Sequence, residues 1–253
     1  MFLADFKGAK EESFPYDRSM KLLIALIVSF TIYPAFSQGL VSPITEEMAR
    51  VFSKKDFKTL RNRGFVVKKK NINKSAWPEL TIYFSVKASP LETLALFIAY
   101  EHQKNYVPGL IKSDVIKQVS PVEIHTAYEM EMPWPLSNSK YIHATVLKKN
   151  KFDIFRVDWK MIESNSADIV KGFAEFYPQD DKTIFKYRSF INPKSFLAGL
   201  FKKTMIKDVK KSLAAIRNEA ERVKGTPQGK EFIKLIELAM SGKYAYPNGR
   251  PAK

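Results

Sequence analysis

From Val107 to Ile191 the chain reads in steps of two, and this stretch sets most of what the protein can fold into. In "VEIHTAYEMEM" the residues Val122, Ile124, Thr126, Tyr128, Met130 and Met132 share one face, and His125, Glu129 and Glu131 the other. "FDIFRVDWKMI" sets Phe155, Val157, Trp159 and Met161 against Arg156, Asp158 and Lys160. "IVKGFAEFY" and "KTIFKYRSFI" follow suit, with Phe176, Phe185 and Tyr187 inward. Period two is the period of a half-buried β-strand. Polar turns at Ser137-Asn138, Lys149-Asn150, Ser164-Asn165 and Gln179-Asp180-Asp181 separate the runs, and strands joined so closely pair antiparallel.

On both sides of this block the period changes. After Pro193, "KSFLAGLFKKTMIKDVKKSLAAIRNEAERVKG" predicts one helix of about thirty residues, ended by Gly225 and Pro227. Leu197, Phe201, Met205, Val209, Leu213, Ile216, Ala220 and Val223 form a continuous apolar stripe, with Lys203, Lys207, Lys210 and Arg217 off it. Upstream, "FVVKKKN" and "ELTIYFSVKAS" read as strands. Ser89, Pro90 and Glu92 open a helix whose apolar side is Leu91, Leu94, Ala95, Ile98 and Ala99. "SPITEEMARVF" begins a helix running to about Arg61, and Glu231 to Met240 is a last amphipathic piece. A stripe as long as that of the C-terminal helix is buried only on the concave face of a curved sheet, an arrangement that leaves a cavity between the two. The alternative is that the stripe closes an ordinary packed core. Phe201 and Met205 are expected to face Tyr128, Trp159 and Tyr187 there.

Composition removes several classes of chemistry. The 253 residues contain no cysteine, which excludes disulfides, thiolate nucleophiles and cysteine-ligated metals. The three histidines, His102, His125 and His143, show no helical ligand spacing, and no nucleophile elbow, Gly-rich phosphate loop or zinc-protease motif occurs. No metal, no cofactor and no catalytic residue is therefore expected.

The net charge is +16, while residues 1–37 carry four basic and four acidic side chains, so the excess lies beyond them. Such a balance calls for an anionic partner, a nucleic acid or a membrane surface. The N-terminus decides between them. Met20-Lys21 leads into the apolar run Leu22 to Ile32, followed by Pro34 and by small residues at Ala35 and Ser37. This layout predicts a signal peptide cleaved before Gln38, with Met20 the better start, and a periplasmic or secreted protein. The competing readings are a buried segment of the fold or an uncleaved anchor, but the run falls short of the ~20 residues of a comfortable membrane span. Export turns the basic surface toward anionic lipid head groups and away from nucleic acid. A monomer is expected. The predicted organisation is an extension and signal peptide over 1–37, a helical segment over 38–61, the main domain over 62–224, and a helix with a polar tail over 225–253.

One stretch adds a resemblance. "YEMEMPWPLSNSKYI", Tyr128 to Ile142, is similar to a bacterial START-type pattern of strand, Pro-Trp-Pro-Leu/Val-Ser-Asp-Arg-Asp and strand. Pro133, Trp134, Pro135, Leu136 and Ser137 match, whereas Asn138, Ser139 and Lys140 stand in place of Asp-Arg-Asp. "YVPGLIKSDVI", Tyr106 to Ile116, resembles the segment after the family's first helices, and the likeness spans about 62–224. The resemblance is to the START/SRPBCC superfamily. It implies an α+β helix-grip fold, a curved antiparallel sheet wrapped around a long C-terminal helix, with a lipid or other apolar small molecule held between them. In some relatives it implies polyketide cyclisation or hydrolysis. The inward strand faces and the helix stripe give the expected cavity residues as Ile124, Tyr128, Met130, Val157, Trp159, Phe176, Phe185, Tyr187, Phe201 and Met205. The motif itself reads first as structure: Pro133 and Pro135 stiffen a corner, and Trp134 plugs the adjoining core.

The remaining polar groups have two readings each. Glu129 and Glu131 are either a carboxylate pair or, more commonly, a solvated sheet face. His125 and His143 either meet across neighbouring strands for acid–base work or are surface or hydrogen-bonded residues. Arg156 and Asp158 either read a ligand head group or form an outward ion pair. Lys202, Lys203, Lys207, Lys210 and Lys211 are a membrane-facing patch or the wet side of a helix. Three functions follow: a carrier of an apolar molecule, a cyclase- or hydrolase-type enzyme, or a packed scaffold acting through its basic surface.

Overall fold

The computed structural model describes residues 43–246, apart from 133, 135 and 151–153, with the backbone alone at 43, 196 and 197. The predicted signal peptide and its cleavage site lie outside the described residues. The chain divides into two compact units, Met1–Arg50 and Val51–Lys253. Of the first, the described part is the start of helix α1, Pro43–Val51.

The second unit is built on eight strands: β1 (Val66–Lys70), β2 (Glu79–Val86), β3 (Leu110–Ser120), β4 (Glu123–Met130), β5 (Ser139–Lys149), β6 (Phe155–Ser164), β7 (Ala167–Gln179) and β8 (Lys182–Pro193). They form one antiparallel sheet in the order β1-β2-β8-β7-β6-β5-β4-β3. The helices are α2 (Lys54–Arg61), α3 (Pro90–Ile98), α4 (Lys202–Val223) and α5 (Pro227–Met240), with 3-10 turns at Tyr100–Asn105 and Phe196–Phe201. The crossover from β2 to β3 carries α3, which packs on α4, α5 and strands β6 to β8. Among the described residues no helix is long and apolar enough to cross a membrane.

Local chemistry sets the element ends. Ser89 caps α3 with a reciprocal box: its Oγ accepts from Glu92 N–H at 3.2 Å, and its own N–H donates to Glu92 Oε2 at 2.9 Å. The segment expected as one helix to Arg61 is two, because Ser53 starts α2 afresh. Its Oγ accepts from Asp56 N–H, and its N–H donates to Asp56 Oδ2 at 2.7 Å. The thirty-residue C-terminal helix is likewise shorter than expected. Its first turn, Phe196–Phe201, winds as a 3-10 helix that contains Gly199, and Phe201 supplies no side-chain cap to α4.

The two faces of the sheet part cleanly. The convex face carries the charges: Arg156 donates to Asp158 at 2.7 Å and Glu175 at 2.6 Å and lies 3.7 Å over the Phe173 ring, while Arg188 reaches Glu79 at 2.7 Å. Arg156 and Asp158 thus form the outward pair, and Glu129 sits outward with Asn138 and Lys140 as partners. The concave face carries the core. Phe84, Phe176 and Phe185 are fully buried, their rings 4.6–4.8 Å apart, and Phe97 of α3 closes over the last two at 5.6 and 5.4 Å. Leu213, Ile216, Ala220 and Val223 of α4, with Ile236 and Ala239 of α5, complete the same cluster.

Candidate functional site

Side chains between the concave face and α4 are fully buried toward the helix's C-terminal half and only partly buried opposite its N-terminal half. Register places Thr126, Tyr128 and Met130 of β4 beside His143, Tyr141 and Ser139 of β5. Further along, Trp159 of β6 lies beside Gly172 of β7, and Ala174 beside Tyr187 of β8. These inward positions hold stacked rings: Tyr128 on Tyr141 at 5.1 Å, Tyr141 against His143 at 4.7 Å, and Trp159 on Tyr187 at 5.2 Å. Gly172 makes room for the indole. A Cβ there would sit 2.5 Å from Trp159 Cζ2 and 2.2 Å from the Arg188 carbonyl oxygen.

Two properties set these rings apart from the packed core. Loss of hydration pushes the phenols of Tyr128, Tyr141 and Tyr187 above their ordinary range, the first also through its tyrosine neighbours Tyr100, Tyr141 and Tyr106. Burial drops the His143 imidazole to about 4, so it is neutral at physiological pH. Yet Tyr128, Tyr141, His143 and Tyr187 all keep accessible surface. Above them, Phe201, Met205 and Val209 of α4 are only half-buried, whereas Leu213 and Val223 are sealed. The helix is sealed at its C-terminal half, and in its N-terminal half Met205, Ile206 and Val209 pack against the same core while keeping part of their surface.

The predicted cavity residues divide along this line. Tyr128, Met130, Tyr187, Phe201 and Met205 fall in the accessible half, and Trp159 borders it through Tyr187. Val157, Phe176 and Phe185 are 0% exposed in the aromatic core. Ile124 faces a gap of about 10 Å³ shared with Ile98, Leu147 and Ala239, room for a single water at most. These four belong to the buried core cluster. Tyr106, Tyr141 and His143 join Tyr128 here without belonging to the expected set. Period two in "KYIHATVL" (Tyr141, His143, Thr145, Leu147) is the signal that marks β5.

Two expectations are overturned. Trp134 does not plug the core but is 90% exposed in the β4–β5 connection. His125 and His143 do not meet: His125 pairs with Ala144 and His143 with Thr126, and neighbouring positions on a strand point to opposite faces. His125 stands 3.5 Å from Glu123 on the convex side.

A second feature lies on the outer flank of α4. Lys203, Lys207, Lys210 and Lys211 border an open groove of about 520 Å³ whose apolar floor is Phe65, Ile206 and Ala214. Farther along the helix, α4 is tied to the Tyr100–Asn105 turn by Glu219, which meets His102 at 2.8 Å; hydrogen bonds from Arg222 foremost hold that carboxylate at about 2. Among the described residues no cluster of three or more His, Asp or Glu side chains could hold a metal.

A curved eight-stranded antiparallel sheet gripping a long C-terminal helix is the START-like helix-grip fold, and comparison with solved structures shows the same. The STAR-related lipid transfer protein from Xanthomonas axonopodis superposes with a TM-score of 0.57 at 17% identity, over 62% of this chain and 93% of that one. Human StAR-related lipid transfer protein 5 gives 0.54 at 7% identity over 81% and 99%. The Zhui aromatase/cyclase from Streptomyces sp. R1128 gives 0.50 at 9% identity over 57% and 94%. No protein-family model and no curated protein sequence matches the chain.

Proposed function

We propose that this protein binds a lipid or other apolar small molecule in the recess between the concave face and the N-terminal half of α4, as an exported carrier acting beside an anionic membrane. The observation that supports this reading is the cluster of desolvated but partly exposed rings of Tyr128, Tyr141, His143 and Tyr187 on the concave face, opposite the half-buried N-terminal half of the α4 stripe. An uncovered apolar wall is stabilised by an apolar guest. The lipid-transfer proteins that share the fold support a carrier, and the lysine-bordered groove on α4 supports an anionic surface as its partner. Export rests on the apolar run from Leu22 and the small residues Ala35 and Ser37.

Catalysis is the weaker reading, although the Zhui aromatase/cyclase shares the fold. His143 is a neutral base, but the inward positions beside it, Thr126, Tyr141 and Thr145, bring no charged group to take or hold its proton. The deciding experiment is mass spectrometry of an organic extract of the purified protein. One apolar species co-purifying in near-stoichiometric amount is expected. An empty extract, combined with no shift in melting temperature across a lipid panel, would refute the carrier.

A further inference from the structure

The excess positive charge is concentrated in two places. Residues 54–74 hold nine basic side chains and one acid, and residues 202–211 five and one, so these stretches carry twelve of the sixteen excess charges. The first runs through α2 and β1 and the second opens α4, and they meet at the open groove, where Phe65 comes from one and the lysines from the other. Both acids are already paired, Asp56 with Lys68 at 2.7 Å and Asp208 with Lys211 at 3.2 Å. Among the described residues no carboxylate pairs with Lys203, Lys207 or Lys210, and all three are exposed. The floor between them is apolar and held in place. The Phe65 ring lies 5.0 Å from Phe84 and 4.8 Å from the Arg217 guanidinium, whose Nη1 donates to the Arg63 carbonyl at 2.7 Å. From Lys203 to Ala214 the groove follows α4 for about three turns, about 16 Å. Exposed ammonium groups alone hold a small anion weakly, because water and salt screen them. An apolar floor alone does not choose between a charged and a neutral chain. Together they select a molecule that has both an anionic end and an apolar chain. A nucleic acid fits less well, since it is held by open aromatic faces and Phe65 is flanked by Phe84 and Arg217.

We infer that this groove seats one anionic amphiphile, a single alkyl chain laid along Phe65, Ile206 and Ala214 with its phosphate, sulfate or carboxylate head among the rim lysines. The inference rests on the reading of this flank as the side that meets anionic lipid, and it is independent of what the recess holds. It deepens that reading by naming what is recognised: a single molecule, chain included, rather than the charge density of a surface. Burial of the chain supplies the affinity, and the lysines supply the preference for a negative head.

Alkyl phosphates of graded length test this. The full chain is titrated by calorimetry at pH 7 and physiological salt with hexyl, octyl and decyl phosphate below their critical micelle concentrations. Inorganic phosphate and decanol serve as the two halves of the ligand. Affinity is expected to rise about twofold to fourfold per methylene, and inorganic phosphate to give no measurable binding. Lys207→Gln combined with Lys210→Gln, both on the exposed rim, should weaken decyl phosphate about fivefold per lysine and leave any decanol binding unchanged. Ala214→Glu keeps a good helix former but sets a carboxylate on the floor, and should weaken decyl phosphate by about tenfold or more. Equal affinity for hexyl and decyl phosphate, or decyl phosphate binding that survives in both variants, would overturn the inference. If vesicles containing anionic lipid bind and decyl phosphate does not, the groove responds to surface charge alone: the inference falls and the anionic-membrane reading stands. If neither binds, both fall. Tighter binding of a thymidine decamer than of decyl phosphate would assign the groove to nucleic acid and overturn the inference as well.

Discussion

His143 is a residue whose role follows from its surroundings rather than its type. Burial holds its pKa at about 4 against 6.5 in an unfolded chain, so the folded state resists the proton that the unfolded state accepts. Stability from this group is therefore complete above about pH 6.5 and is lost as pH falls through that value toward 4. The loss amounts to roughly 3 kcal/mol at 1.36 kcal/mol per pKa unit. Urea midpoints at pH 7 and pH 4.5 should differ by less in His143→Phe than in the wild type; an unchanged difference would mean that the ring is not buried as described. The acid loss continues below pH 4.5, where Glu219, held at about 2, gains its proton and releases His102 and Arg222.

Among the elements, α4 shows how one stripe does two jobs. Leu213 is 2% exposed against the packed end, and truncation to Ala should cost about 2–5 kcal/mol through the void it leaves. Met205, two turns earlier, is half-buried at the margin of the same core. Met205→Ala should cost clearly less, and Met205→Trp should keep the fold but lose ligand by filling the recess. Thermal melts with a ligand-displacement assay read both; a Trp variant melting far below wild type would mean a packed core. The periodicity of α4 was legible in the sequence because an apolar stripe is a property of spacing. How far the helix stands from the sheet was not, because that distance depends on side chains from β4 to β8 meeting it. The 3-10 turn at Phe196–Phe201 and the break at Ser53 escaped for a related reason: caps and glycines compete with periodicity, and their balance is settled locally.

For the whole molecule, charge is laid out in two separate ways. On the convex face it is internally matched, as with Arg156, Asp158 and Glu175. Along α4 it stands out as Lys203, Lys207 and Lys210 beside an apolar floor. Vesicles containing anionic lipid should bind the protein more than neutral vesicles, with binding that weakens as salt rises. Replacing these three lysines by Gln should reduce the partition coefficient by about fivefold per lysine, at ~1 kcal/mol each. Equal, salt-insensitive sedimentation with both vesicle types would leave the lysines as solubilising residues only.

The sequence by itself determined the strand faces, the apolar stripe, the α3 cap at Ser89 and the absence of thiol chemistry, since each is written in spacing or composition. It placed Val157, Phe176 and Phe185 on the inward face, while their complete burial came from packing. Only the tertiary structure decided that these three are sealed, that Trp134 faces solvent, that His125 and His143 are on opposite sides, and that Tyr106, Tyr141 and His143 meet around Tyr128. The physical reason is that alternation fixes direction relative to one strand. Depth, pairing and desolvation arise from the residues that distant parts of the chain bring alongside.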